Sequence, residues 1–318
     1  MALICYHASH EQFSPSHLLK LVQLAEAAGF DGIHSSDHFH PWSVRQGQSG
    51  FTFSWIAATM QVTNIPFSMV CAPGQRLHPA IVAQAIATLS EMFPGRFNIE
   101  LGSGEAINES ITGDGWPSKE IRNERLMECF HIIKQLLDGH TVNFEGHVNV
   151  RQAKLFTLPQ QQPLLLCAAI SEKTAAWCAD WADGLLTTAG DISAIAKKID
   201  LFRGQGGKGK PIYLQFAFSY ARNEHDAIEG AYDQWRSNLL SIEKLADYYA
   251  VEQFDKDARR VSKEDVIRTI PVYTDWNHLQ SVITEYIALG IDRLILHNVN
   301  RQQENFIEDF RINNNNLK

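Results

Sequence analysis

Apolar and polar positions along this chain fall into short blocks whose period keeps switching. Compact apolar runs occur at residues 3–8, 32–35, 65–70, 97–102, 163–168, 183–188, 211–218 and 292–297. Each is too short for a helix and reads as a strand buried on both faces. Between them lie longer stretches with the helical period. The first has Leu18, Leu21, Val22, Ala25 and Ala28 on one face, Pro15 near its start and Gly29 just past its end. Further helices are predicted over 54–61, 80–92 after Pro79, 119–137, 172–182 and 192–202. Two or three more fill 224–268, and a last one begins near Gln302. Residues 141–156 alternate around Glu145-Gly146 and read as an inserted hairpin. Eight strands regularly alternating with helices predict an α/β fold of the (β/α)8 TIM-barrel type, with an inserted hairpin and helical segments. No linker divides the chain, so one domain over 1–318 is expected.

Composition narrows the functional classes. The net charge is −8, which does not suggest a nucleic-acid or anionic-membrane partner. No run approaches the ~18 apolar residues of a membrane span, and the start carries no secretory pattern, so a cytoplasmic location is expected. Five cysteines, Cys5, Cys71, Cys129, Cys167 and Cys178, form no CxxC pair. They read as reduced core residues, and no metal site is expected.

Barrels of this kind carry their sites at the C-terminal strand ends. Those ends hold His7, Asp37-His38, Ser103-Gly104-Glu105, Thr187-Thr188 and His297. The densest is Ser36-Asp37-His38-Phe39-His40-Pro41-Trp42, where Pro41 prevents a helix from forming through the cluster. His38 can move a proton near neutral pH, with Asp37 to orient it; the plainer reading is a rim histidine that only hydrogen-bonds. Glu105 follows Gly-Ser-Gly, a sequence that lets backbone approach a ligand or simply makes a tight turn. Trp42 and Trp55 can stack on a planar cofactor or fill core.

The 36–42 cluster, together with Gly102-Ser103-Gly104-Glu105-Ala106-Ile107-Asn108-Glu109, resembles the bacterial luciferase-like flavin oxidoreductases. Within them it is nearest the deazaflavin-dependent glucose-6-phosphate dehydrogenase group. Tyr6 to Phe13, Pro79 to Gln84 and Trp116-Pro117 match as well. The resemblance implies a (β/α)8 barrel in which Asp37 contacts the ring and His38 is the base for a substrate hydroxyl. It further implies that Trp42 lines the substrate pocket, Glu105 is a proton partner near the ring and Glu11 supports the site. Met69-Val70 falls where the family has a non-proline cis peptide, a bond that costs about 3–4 kcal/mol. Ser103, Gly104 and Asn108 match cofactor-contacting positions, and Thr188 is taken as a substrate contact.

Three departures stand out. A glycine pair that receives the cofactor phosphate is replaced by Ala168-Ala169-Ile170, with Ser171 next to offer a hydroxyl. Asp191 stands where a phosphate-binding lysine is expected, and Arg268 lies beside, not at, the position of an expected arginine. The bulk of Ile170 favours FMN over the longer deazaflavin coenzyme F420. The expectation is therefore an oxidoreductase that passes hydride between a flavin-type ring and a small organic substrate. The alternatives are a flavin-dependent monooxygenase using oxygen, or a non-catalytic flavin-binding protein. Family resemblance suggests a homodimer.

Overall fold

A computed structural model describes residues 2–314. Eleven strands occur among them: β1 (Leu3–Ala8), β2 (Gly32–Ser36), β3 (Phe67–Cys71), β4 (Phe97–Leu101), β5 (Val142–Glu145), β6 (Asn149–Ala153), β7 (Leu165–Ala168), β8 (Gly184–Thr188), β9 (Ile212–Tyr220), β10 (Val272–Tyr273) and β11 (Arg293–Asn298). Eight of them close a parallel barrel in the order β1-β2-β3-β4-β7-β8-β9-β11, with β11 returning to β1 at Leu3↔Arg293. These eight are the eight predicted runs. β5 and β6 form the expected antiparallel hairpin. β10 is a two-residue addition beside the end of β9.

Strand alternation sorts the side chains. Ile4, Tyr6, Ile33, Met69, Ile99, Leu101, Leu185 and Leu214 pack outward with the helices in the main core. Cys5, Leu166, Leu186, Tyr213 and Ile295, with Val70 and Ala168, form a separate cluster inside the barrel. The helix Pro15–Ala28 shows how the local signals act. Pro15 sits in its first turn, its five predicted apolar positions are all buried, and Gly29 ends it at φ 92°. All five cysteines are buried and free. Among the described residues no helix is long and apolar enough to cross a membrane.

Two features depart from expectation. The helix Trp276–Ile287, with Leu279, Ile283 and Tyr286 buried, was not predicted. Its polar faces hide a narrow apolar stripe. The Met69–Val70 bond is also not cis, since no cis peptide occurs among the described residues. Here β3 stays in unbroken parallel register with β4 through Met69↔Ile99, Val70↔Glu100 and Cys71↔Leu101, which holds the backbone extended and trans.

Candidate active site at the barrel mouth

β1 and β2 deliver the acidic and imidazole groups. β1 ends at Ala8, and the following turn buries Ser9, His10 and Glu11. Glu11 accepts hydrogen bonds from Ser9 Oγ and Ser36 Oγ, both at 2.8 Å. Burial pushes its carboxyl up, but the His38 and His7 imidazoles and the hydrogen bonds outweigh burial and bring it to about 2. Its Oε1 lies 3.5 Å from His38 Nε2. The Trp42 ring is 5.3 Å from the His38 ring and packs edge-on against Phe254 at 5.4 Å. Trp42, Ile107 and Phe254 form an apolar wall, with Leu240, Leu245, Tyr248 and Val251 behind it.

β4 supplies the opposite side. Gly104 has φ 80°, and a Cβ there would meet Glu109 Cγ at 3.0 Å and Ala72 Cβ at 3.2 Å, so the turn requires glycine. Glu105 then starts the short helix Ala106–Glu109 without spending its side chain on a cap. Its Oε2 accepts from Asn108 Nδ2 at 3.1 Å, and the same Nδ2 lies 3.1 Å from His38 Nδ1. Glu11, His38, Asn108 and Glu105 thus form one continuous polar row.

Asp37 sits elsewhere than its neighbour suggests. Its side chain is fully buried and accepts from Arg76 at 2.7 Å. The same guanidinium stands 3.5 Å from Glu109, whose Oε2 also accepts from Arg76 N. Burial raises the Glu109 carboxyl against the pull of Arg76. Asp37 Oδ1 keeps no hydrogen-bond partner among the described residues.

The remaining expected contacts divide. Val70 faces the barrel interior with Ala168. Met69 and Ala169 are buried in the outer core, so their side chains do not reach the mouth. Ile170 is 67% exposed and belongs to none of the apolar cores. Ser171 Oγ is engaged by Thr174 N at 3.2 Å and Thr174 Oγ1 at 2.9 Å, capping its own helix. Ser103 Oγ accepts from Lys119 Nζ at 2.6 Å. Thr188 is exposed, while its neighbour Thr187 accepts from Lys198 at 2.9 Å. Asp191 caps the helix Ile192–Phe202 by accepting from Ala194 N, and Arg268 is exposed and paired with Asp265. Trp55 is core, with its indole N–H on Pro15 O.

Sequence reading missed Arg76, Lys119 and Lys198. Arg76 had a usable signal: it lies in the loop after β3, between the acid-bearing segments that follow β2 and β4. Lys119 and Lys198 lie in helices whose facing was not legible.

The mouth fits a planar ring cofactor. A Cβ on Gly102 would find Ala168 Cβ at 3.8 Å, Val70 Cγ2 at 3.9 Å and the Cys71 carbonyl oxygen at 3.9 Å, so small groups line this spot. Asp37 Oδ1 is a buried acceptor left without a partner among the described residues, one that a ring N–H would satisfy.

The sequence profile of the family described as luciferase-like monooxygenase matches residues 3–293. An F420-dependent glucose-6-phosphate dehydrogenase from Tsukamurella paurometabola is 29% identical over 319 residues, covering 96% of this chain and 95% of its own. Its counterpart from Microbacterium testaceum is 30% identical over 313 residues, covering 95% and 93%. Among solved structures, an F420-dependent secondary alcohol dehydrogenase in complex with an F420–acetone adduct superposes with a TM-score of 0.87 at 28% identity, covering 97% of this chain and 98% of that one. An F420-dependent tetrahydromethanopterin reductase from Methanopyrus kandleri, at 18% identity and TM-score 0.76, shares the fold.

Proposed function

This chain belongs to the luciferase-like family and is an oxidoreductase with a flavin-type cofactor; within that frame we propose that the cofactor is the deazaflavin F420 and the substrate a small, unphosphorylated alcohol. The observation that carries the reading is the polar row Glu11–His38–Asn108–Glu105 lying directly against the apolar wall of Trp42 and Phe254. Proton-handling groups beside an apolar wall suit a hydroxyl on a short hydrocarbon. The cofactor choice draws on the relatives' names and on Ile170 and Ser171, which give FMN no advantage. The substrate choice draws on Asp191 and Arg268, which are spent on a helix cap and a surface pair and leave no cationic clamp at those positions.

A bound deazaflavin ring would supply a two-electron acceptor for a hydride from the alcohol carbon. The chain's own residues do the rest. Val70, Gly102 and Ala168 leave room for the ring, and Asp37 Oδ1 offers it an acceptor. Trp42 and Phe254 exclude water from the reacting carbon. His38 and Glu105 hold and move the hydroxyl proton, and the ionised Glu11 steadies His38.

Two measurements test this. In equilibrium titrations F420 should bind at least tenfold tighter than FMN, a gap of about 1.4 kcal/mol. With F420 bound, isopropanol should bleach the oxidised ring without consuming oxygen, while glucose 6-phosphate should not. Tighter FMN binding, oxygen-dependent turnover or micromolar affinity for glucose 6-phosphate would each overturn the corresponding part.

A further inference from the structure

We propose that Asn108 is a positioning residue that divides the proton work of the site: it holds His38 as the Nε2–H tautomer and Glu105 by one oxygen, so His38 serves as a hydrogen-bond donor and Glu105 is left to accept the substrate proton. The reaction part rests on the reading above; the tautomer part does not.

The argument starts from donors whose identity is certain. Asn108 is buried, and its Oδ1 faces two backbone N–H groups, Phe39 N at 2.9 Å and His40 N at 3.3 Å. Backbone nitrogens can only donate, so this end of the amide is the oxygen. The other end is then the NH2 group. It faces His38 Nδ1 at 3.1 Å and Glu105 Oε2 at 3.1 Å, which uses both its hydrogens. A donor directed at Nδ1 requires a lone pair there, so neutral His38 carries its proton on Nε2. The opposite side of the ring agrees. Nε2 stands 3.5 Å from Glu11 Oε1, an acceptor already fixed by Ser9 and Ser36. The backbone that presents the two N–H groups is itself anchored, because His40 Nδ1 meets Ile107 O at 2.8 Å.

The consequence for the reaction is direct. His38 has one lone pair and Asn108 occupies it, so taking a proton there means breaking that contact. Glu105 has only Oε2 engaged, is not spent as a helix cap and is partly exposed. In alcohol oxidation the carbon gives a hydride to the deazaflavin, the hydroxyl gives its proton to the Glu105 carboxylate, and a carbonyl compound remains. His38 keeps its Nε2–H toward Glu11 Oε1 while this happens.

The test uses histidine labelled with nitrogen-15 in the full chain, without cofactor and then with F420. The His38 signals are identified by their loss in His38→Gln. Nε2 should be protonated and Nδ1 bare; a protonated Nδ1 in the wild-type protein overturns the proposal. Asn108→Asp is isosteric but presents a second acceptor in place of the NH2, so Nδ1 should become protonated, either by a change of tautomer or as the imidazolium. The variant should lose about 10²-fold or more in kcat for isopropanol without a comparable change in KM or F420 affinity. An unchanged tautomer with unchanged kcat in this variant also overturns it. If the wild-type protein oxidises no alcohol yet shows the Nε2–H form, the functional reading fails and Asn108's hold on His38 stands.

Discussion

Arg76 concentrates the electrostatic cost of the site in one side chain. It is the cation between two buried acids, Asp37 at 2.7 Å and Glu109 at 3.5 Å. Their fields hold its guanidinium above its ordinary value although burial acts against it. Replacing it leaves two carboxylates uncompensated out of water. Arg76→Ala should therefore lower unfolding stability by about 3–5 kcal/mol, measured by urea melts, and weaken F420 binding by disturbing Asp37. A variant as stable as wild type would show that the two acids find other partners. At this scale the sequence located the crowded strand ends but not their pairings. Asp37 and His38 are adjacent in the chain, yet Asp37 turns to Arg76 and His38 to Glu11 and Asn108. The irregular segment after β2 turns apart neighbours that the linear order suggested as partners.

At the scale of elements, the segment after β9 deserves the most weight in setting specificity. Its short helices Ile242–Asp247 and Val251–Ala258 reach back over the mouth. Asp255 moors them to Ser43 Oγ at 2.6 Å, Val44 N at 3.1 Å and Arg45 at 3.3 Å. Asp247 moors them to the indole N–H of Trp116 at 3.1 Å. Phe254, fully buried, backs Trp42. Phe254→Ala should raise KM for small alcohols, with F420 affinity unchanged, because the wall loses the ring that supports Trp42. The same truncation removes packing that costs about 3–5 kcal/mol when a phenyl is deleted from a core. Steady-state kinetics with KM unaltered would remove Phe254 from the wall. Helical segments over 224–268 were legible as helices, although two or three were expected and four α-helices occur. Their placement against Trp42 was not, since nothing in their period says which distant loop they cover.

Across the whole molecule, the barrel interior is unusually polar for a packed core. His7 and His34 meet at 2.9 Å, His34 Nε2 lies 3.7 Å from Glu100, and the His7 and His297 rings are 3.9 Å apart. Burial depresses all these imidazoles, bringing His297 to about 3, and lowers His10 outside this row to about 4. Their contribution to stability is complete above the unfolded value of 6.5 and is lost as pH falls through and below it. Glu100 runs the other way. Burial raises it to about 7, against the pull of Ser68 and Arg293, so its contribution is complete below 4.5 and lost as pH rises through 7. Glu100→Gln should therefore raise the melting temperature relative to wild type at pH 8 and give no such gain at pH 5. Thermal melts with the opposite order would contradict this assignment of charge.

What the sequence by itself determined was the barrel. Eight apolar runs, the hairpin and the caps at Pro15 and Gly29 are local or periodic signals, and run length together with period separates strand from helix. It also located the strand ends that carry the chemistry at Asp37-His38 and Glu105, although His7 and His297, read the same way, lie in the barrel interior. Tertiary structure decided everything that depends on two distant segments meeting. It turned Met69 outward and Val70 inward, kept their bond trans through the β4 ladder, sent Ile170 to solvent and placed Arg76 between Asp37 and Glu109. It also brought the Asn108 amide between His38 and Glu105. Hydrogen bonds and ion pairs act over about 3–4 Å, and no linear pattern specifies which side chains barrel closure brings within that distance.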